Sequence, residues 1–171
     1  MNKLFKVMFL AIALFVVSGV ANAQVKIAHV STADVLDAMP DKASAEKKLE
    51  SYYNDLEKQL QAMGTEYQNK VQDYEANQAT MSNLVRQSKE KEITDIMNRI
   101  QQFQANAEQD FENKRAELLQ PILEKIQNAI NAVGKEKGYT YILDTATGAA
   151  VYIGTDAIDC TKDVKAKLGI K

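Results

Sequence analysis

Two long stretches with regularly spaced apolar residues most constrain what this chain can fold into. Over residues 41–79 there is no proline, and apolar residues recur at steps of three or four. This spacing places them on one face of a helix and is typical of a coiled-coil seam. We therefore predict a long helix over residues 41–79, started by Asp41 as its N-cap. The seam residues are Leu49, Tyr53, Leu56, Leu60, Met63, Tyr67, Val71 and Tyr74.

A second apolar stripe follows after a short break. Strong helix formers are sparse around residues 77–83, where Ser82 is a suitable cap for a new helix. The pattern predicts a reversal there and a second helix, antiparallel to the first, ending near Gly134 or Gly138. Its stripe residues are Ile93, Met97, Ile100, Phe103, Ala107, Phe111, Leu118, Ile122, Ile126, Ala129 and Val133.

Pro121 interrupts the second stripe at an informative place. The first helix has 39 residues, and 39 residues counted from Ser82 reach Gln120. Because proline removes a backbone donor and kinks a helix, we expect a hinge at Pro121, where the partner helix ends. Residues 41–121 would then form an arm that leaves a separate body.

The segments flanking the two helices predict short strands and helices. Residues 25–30 are β-branched and loosely alternating, which indicates a strand. Ser31 and Asp34 then resemble a capping box, and Pro40 ends the brief helix that they start. At the other end, residues 139–144 and 149–154 predict a β-hairpin joined by a short loop.

A final short helix is predicted after that hairpin. Thr161 is a plausible cap for residues 162–168. Asp163 lies in its first turn and Lys165 and Lys167 near its end, which the helix dipole favours.

The terminal segments are too short to form a stable domain alone. Residues 24–40 and 138–171 make 51 residues, whereas domains below about 60 residues are marginal unless stapled or assembled. One Cys and one His leave no intrachain disulfide and no zinc quartet. The first strand must also pair with strands more than 100 residues later, leaving open edges. We expect oligomerisation through the sheet, with dimer and trimer indistinguishable on these grounds.

The amino terminus has the pattern of a secretory signal. Lys3 and Lys6 come before an apolar run over residues 7–17, and Ala21 and Ala23 form a cleavage site. The run is shorter than the roughly 20 residues that span a bilayer. We therefore predict a signal peptide over residues 1–23, cleaved after Ala23, and a mature protein exported across the inner membrane without stable membrane insertion.

Charge and motifs argue against nucleic-acid binding and catalysis. Loss of Lys3 and Lys6 from 21 basic residues leaves 19 against 23 acidic residues, a net charge of −4. This balance gives no nucleic-acid footprint. His29 has no nucleophile motif to serve, and there is no HExxH, GxSxG, P-loop or GxGxxG motif. We expect no enzymatic activity, no metal and no cofactor.

Particular residues resemble the OmpH/Skp family of periplasmic chaperones, and the likeness runs along the whole mature sequence. Residues 26–30 and 31–39 are similar to the family's opening strand and short helix. A second similarity is to the start of the family's returning arm, at Met81, Ser82, Arg86, Lys89, Glu92 and Ile93. The strongest match covers residues 119–144, with Gln120-Pro121-Ile122, Ala129-Ile130, Lys137-Gly138-Tyr139 and Ile142-Leu143-Asp144, continued by Asp159-Cys160-Thr161 and Val164.

The resemblance implies a mainly α fold with a small β body. A long antiparallel helical-hairpin arm, residues 41–121, would project from a β-barrel-like association body formed by residues 24–40 and 122–171. Three copies would form a jellyfish-shaped homotrimer whose arms enclose a cavity. The implied function is an ATP-independent periplasmic holdase that binds unfolded outer-membrane proteins and prevents their aggregation. The alternative is a structural coiled-coil envelope adaptor with one fixed protein partner.

Two features differ from the best-known family members. Those members are strongly basic, whereas this chain is acidic, so we carry over neither electrostatic capture of acidic clients nor lipopolysaccharide binding. Relatives commonly have an aliphatic residue at Cys160, which we expect to be a small buried hydrophobe.

The arm supplies the candidate client contacts. Two paired helices cannot enclose large aromatic side chains on every side, and methionines adapt to unrelated sequences. Tyr52, beside the seam, and Leu84 and Val85 near the tip are expected to be more exposed than seam residues, which usually pack as core. The candidates are Tyr52, Met63, Tyr67, Tyr74, Met81, Leu84, Val85, Met97, Phe103 and Phe111.

Overall fold

A computed structural model describes residues 25–170. The predicted signal peptide, residues 1–23, lies outside this range. The elements in chain order are β1 (Ile27–Val30), α1 (Thr32–Asp37), α2 (Pro40–Asn77), α3 (Asn83–Lys137), β2 (Tyr141–Asp144), β3 (Ile158–Asp159) and α4 (Thr161–Lys167). Within residues 25–170, no helix combines the length and the apolar character that crossing a membrane requires.

Helices α2 and α3 form the predicted antiparallel hairpin. Ser82 caps α3 as expected, because its hydroxyl accepts a hydrogen bond from the backbone N–H of Val85 at 3.4 Å. Gly138 ends α3 in the left-handed conformation, with φ +66°. The prediction that Asp41 caps α2 is wrong, since Pro40 already occupies the first turn, where its missing N–H removes no helical hydrogen bond.

Pro121 lies inside α3, which continues through it to Lys137. The ammonium of Lys125 is 2.5 Å from the carboxylate of Asp41, so the start of α2 lies beside this part of α3. Pro121 is therefore about one turn inside the paired region, close to the predicted position at the end of the partner helix. A hinge at this proline stays a prediction.

Strand β1 is the centre of a three-stranded sheet with the order β2-β1-β3. Both neighbours run parallel to β1, with Ile27 opposite Tyr141 and Ala28 opposite Ile158. The predicted hairpin over 139–144 and 149–154 is therefore wrong in its second strand and in its direction. Parallel strands cannot be joined by a tight turn, and residues 145–157 make the crossover between β2 and β3.

The apolar alternation that suggested the second hairpin strand is exposed. Val151 and Tyr152 are 98% and 86% exposed, and Ile153 is 43% exposed. Asp144 directs the chain away from the sheet, since one carboxylate oxygen accepts hydrogen bonds from the backbone N–H groups of Ala146 and Thr32. The alternating pattern thus reports an apolar surface segment instead of a strand.

One face of the sheet forms the core, and the other is bare. Helix α1, the carboxyl-terminal half of α3 and α4 cover the first face. The opposite face presents Ile27, Tyr141 and Leu143, which are 49%, 59% and 43% exposed. Parallel sheets are normally covered on both faces, so this surface is unusual for a finished domain. The buried core residues are Ala28, Val30, Val35, Met39, Ala45, Ile122, Ile126, Ala129, Val133, Cys160 and Val164.

Helix α4 begins one residue earlier than predicted, and Thr161 is its first residue instead of its cap. The backbone N–H of Thr161 donates to Asp159, and its hydroxyl accepts from the N–H of Ser31 at 3.0 Å. Ser31 itself caps α1 through the N–H of Asp34, as predicted. These bonds tie both terminal segments together.

Cys160 is completely buried, which confirms its predicted role as a small core residue. Its thiol donates to the backbone oxygen of His29 at 3.1 Å. Burial raises the pKa of the Cys160 thiol. The imidazole Nδ1 of His29 lies 3.9 Å from the carboxylate of Asp159, in a half-buried position.

Candidate functional site along the helical arm

The seam of the arm is open along almost its whole length. Between residues 46 and 121, only Ile96 is buried, with 1% of its surface exposed. The other seam residues are half-buried, apart from Tyr53 and Met97, which are 55% and 42% exposed. Two paired helices thus leave most of their apolar stripe in contact with solvent in the single chain.

Ile96 is a core residue that the sequence prediction missed. The second stripe was assigned through Ile93, Met97 and Ile100, but Met97 lies at the edge and is 42% exposed. The steps from Ile93 to Ile96 and on to Ile100 are three and four, which fit the seam equally well. Spacing alone is therefore consistent with either residue, and the structure buries Ile96 instead of the predicted Met97.

The structure places the predicted client contacts in two classes. Leu84, Val85 and Met97 are exposed, with Leu84 at 78%. Half-buried positions are occupied by Tyr52, Met63, Tyr67, Tyr74, Met81, Phe103 and Phe111.

The expectation that Tyr52 is more exposed than the seam tyrosines is wrong for Tyr53. The ring of Tyr53 packs edge-on against Phe111, with 5.9 Å between the ring centroids, and leaves much of its surface open. Tyr52 is half-buried and is therefore less exposed than Tyr53.

An apolar groove of about 400 Å³ opens between the helices in the middle of the arm. Its centre is Ala107, a small side chain with Phe103 and Phe111 one turn away on either side. The alanine side chain fills less of the space between the helices than its larger neighbours do elsewhere in the seam. The apolar lining consists of Tyr53, Leu56, Leu60, Phe103, Ala107 and Phe111.

The groove brings together only part of the predicted set. Phe103 and Phe111 lie in it, beside the seam residues Tyr53, Leu56 and Leu60, which are not among the predicted contacts. The remaining candidates are distributed from Tyr52 to the tip. The missing clue was the small residue at 107, which sequence periodicity counts as apolar without regard to its size.

Ion pairs between the helices close the outer part of the arm. Lys70 contacts Glu92 at 2.5 Å, Lys89 contacts Asp73 at 2.8 Å, and Arg99 Nη2 lies 3.4 Å from Glu66. The hydrogen bond from Lys89 holds the pKa of Asp73 below its ordinary value. Such solvent-screened pairs contribute little to stability and mainly fix the alignment of the two helices.

Tyr74 makes a further link between the helices near the tip. Its hydroxyl donates a hydrogen bond to the carboxylate of Glu90, which raises the pKa of Tyr74. The polar end of this candidate is thus engaged within the arm, and its ring remains half-buried.

Comparison with known proteins identifies the family. The profile of the family described as "Outer membrane protein (OmpH-like)" matches residues 26–168. Chaperone protein Skp of Pectobacterium atrosepticum is 32% identical over 142 residues, which cover 81% of this chain and 82% of that protein. Chaperone protein Skp of Photorhabdus luminescens is 32% identical over 147 residues, covering 84% and 87%.

A solved structure shares the fold. The OmpH-like outer membrane chaperone from Caulobacter crescentus CB15 superposes with a TM-score of 0.73 at 16% identity and covers 85% of each chain. The matched sequence region runs from β1 through α4, as does the fold described above. The chain belongs to the OmpH family.

Proposed function

We propose that this protein is an ATP-independent periplasmic holdase chaperone that binds unfolded outer-membrane proteins between its arms and prevents their aggregation. One observation carries the proposal: from residue 46 to 121 the apolar stripe of the arm encloses a single side chain, Ile96. The relatives named Chaperone protein Skp and the OmpH-like outer membrane chaperone support it. Its binding role would require no catalysis.

A half-open stripe suits weak binding to many sequences. Each client side chain that covers a half-exposed seam residue removes only part of that residue's surface from water, so each contact is modest. Several such contacts on one client segment raise the overall affinity by effective concentration. Methionines such as Met63 and Met97 adapt their shape to different partners. Leu84 and Val85 would add an apolar contact at the tip of the arm.

We further propose that the protein is a homotrimer assembled through its sheet. The bare apolar face of Ile27, Tyr141 and Leu143, with the exposed segment containing Val151 and Tyr152, is the kind of surface that a partner subunit buries. Residues 24–40 and 122–171 would form the barrel-like association body. Residues 41–121 would form arms, and three of them would enclose the client cavity.

The proposed location follows from the amino-terminal sequence. Residues 1–23 would direct export across the inner membrane and be removed after Ala23. Mass measurement of protein recovered from the periplasmic fraction tests this step, and a chain that retains residues 1–23 would contradict it.

Light scattering during dilution of a denatured outer-membrane β-barrel tests the function. The mature protein, without nucleotide, should suppress the signal from several unrelated barrels. Unchanged aggregation at stoichiometric excess would refute the holdase. A saturable complex with one folded envelope protein and no such suppression would instead support the adaptor.

Sedimentation at micromolar concentration tests the assembly. The proposal requires a mass of three mature chains. A stably folded single copy would refute both the shared sheet and the enclosed cavity.

A further inference from the structure

The middle of the arm carries a concentrated negative charge. Residues 49–63 and 101–115 together contain six acidic residues and three basic residues, a net charge of −3. The outer part, residues 64–100, has six acidic and five basic residues, a net charge of −1. The charge of the arm is thus localised around the apolar groove.

The pairing of charges follows the same division. The pairs Lys70–Glu92, Lys89–Asp73 and Arg99–Glu66 join the helices near the tip, and Lys125–Asp41 joins them at the base. In the middle, the bases pair within their own helices: Lys58 with Asp55, Lys114 with Glu117 and Arg115 with Glu112.

Two carboxylates on opposite helices border the groove. Glu57 of α2 and Glu108 of α3 line it, and neither has an ion-pair partner among residues 25–170. Both are exposed. A cation brought to this rim would therefore not have to displace a lysine or arginine of the arm.

The apolar part of the groove suits an aromatic ring. Tyr53, Phe103 and Phe111 supply aromatic walls, and Ala107 leaves the space between them. Aromatic pairs favour the edge-to-face or offset geometry that such walls permit. An occupant that places a ring inside and a positive charge at the rim would satisfy both parts of the site.

We propose that this groove binds an aromatic side chain of an unfolded client segment that carries Lys or Arg within two residues of the aromatic position. The inference rests on the proposed function, since it names the client segment that the arm prefers. The flexible stems of Lys and Arg would let a cation on either side of the ring reach the rim that contains Glu57 and Glu108.

Fluorescence anisotropy with a labelled Gly-Ser-Lys-Phe-Lys-Ser-Gly peptide tests the proposal on the assembled mature protein. Two matched peptides replace Phe by Ala or both Lys by Glu. The Lys-Phe-Lys peptide should bind more tightly than either, and its affinity should fall as salt is raised. Equal binding of the Phe and Ala peptides would overturn the proposal.

Charge variants separate a local rim from general attraction to an acidic protein. Glu57→Gln combined with Glu108→Gln should weaken binding of the Lys-Phe-Lys peptide by about fivefold or more, as expected for loss of two exposed ion pairs. The matched control, Glu75→Gln combined with Asp95→Asn, removes the same charge from exposed positions nearer the tip. Equal weakening by both double variants would overturn the proposal.

Filling the groove supplies a second, independent variant. Ala107→Leu should weaken binding of the Lys-Phe-Lys peptide while circular dichroism shows retained helix. If sedimentation showed that Ala107→Leu dissociates the assembly, the occupant would be a second copy of this chain and the proposal would be overturned. Suppression of barrel aggregation is measured on the same preparations. If peptide selectivity is absent but suppression persists, the groove proposal fails and the holdase stands.

Discussion

Replacing Ile96 with alanine tests whether the arm depends on its one enclosed side chain. Ile96 is 1% exposed, whereas the next residue, Met97, is 42% exposed. The ion pairs Lys70–Glu92 and Arg99–Glu66 bracket this part of the seam along α2 and α3. Ile96 thus lies where the two helices are best closed.

The size of the effect follows from burial. Ile96→Ala removes three carbons, and at about 0.8 kcal/mol for each buried carbon the transfer cost is about 2.4 kcal/mol. Incomplete collapse of the space adds to this, within the roughly 2–5 kcal/mol typical of such substitutions. By comparison, the exposed ion pairs nearby are screened by solvent and contribute little to stability. We therefore expect the arm to lose at least about 2 kcal/mol of stability.

Hydrogen exchange of backbone amides measures this loss where it occurs, because the arm can open separately from the body. Amides of α2 and α3 near Ile96 should exchange faster by the equivalent of about 2 kcal/mol in opening free energy. Met97→Ala is the matched control and should change exchange by less than about 1 kcal/mol. Equal effects of the two substitutions would show that the arm is not stabilised by burial at this position.

Three further substitutions or conditions test the body. Partial burial alone would raise the pKa of Asp144, but hydrogen bonds from the Thr32 hydroxyl and from backbone N–H groups outweigh it and hold the pKa below its ordinary value. This carboxylate therefore stabilises the fold above about pH 4, and the contribution disappears as pH falls through the lowered pKa. Urea titrations at pH 7 and 3 should show that the free energy of unfolding depends less on pH in Asp144→Asn than in the wild type. Gly138→Ala should lower the free energy of unfolding by about 1–2 kcal/mol through left-handed strain alone, since a Cβ there meets nothing within 4 Å; an unchanged thermal midpoint would contradict this. Cys160, fully buried with a raised thiol pKa, should react with a thiol reagent only after unfolding, and rapid labelling of native protein would refute its burial.

The arm could be predicted because its signal is local. Apolar spacing, the cap at Ser82 and the left-handed Gly138 each act within a few residues, so sequence alone located the two helices and their reversal. Side-chain size across the helix pair is not local. Periodicity fits Ile96 and Met97 equally well, and which of them is buried depends on the residues of α2 that lie opposite, as does the groove at Ala107.

The sheet was harder to predict because its pairing is entirely long-range. A strand over residues 25–30 is predicted, as is its pairing with the distant carboxyl-terminal segment, and the structure has the strand over Ile27–Val30. The alternation of apolar residues around Tyr152, after a short loop, predicts a local hairpin with the preceding strand. The structure instead places the two-residue strand β3 beside β1. Hydrogen bonds next to β3 hold this arrangement: the N–H of Thr161 donates to Asp159, and the N–H of Ser31 donates to the Thr161 hydroxyl.

The central position of β1 imposes an order on folding. Ile27 pairs with Tyr141, 114 residues later, whereas the arm helices meet across a turn of a few residues. Short loops close at lower entropic cost and faster than long ones. In a growing chain, α2 and α3 can therefore pair before β1 has a strand to pair with. The sheet surface proposed to bind other copies therefore forms only after the last thirty or so residues are synthesised. A chain that ended earlier would contain the helical hairpin without the surface that joins it to other copies.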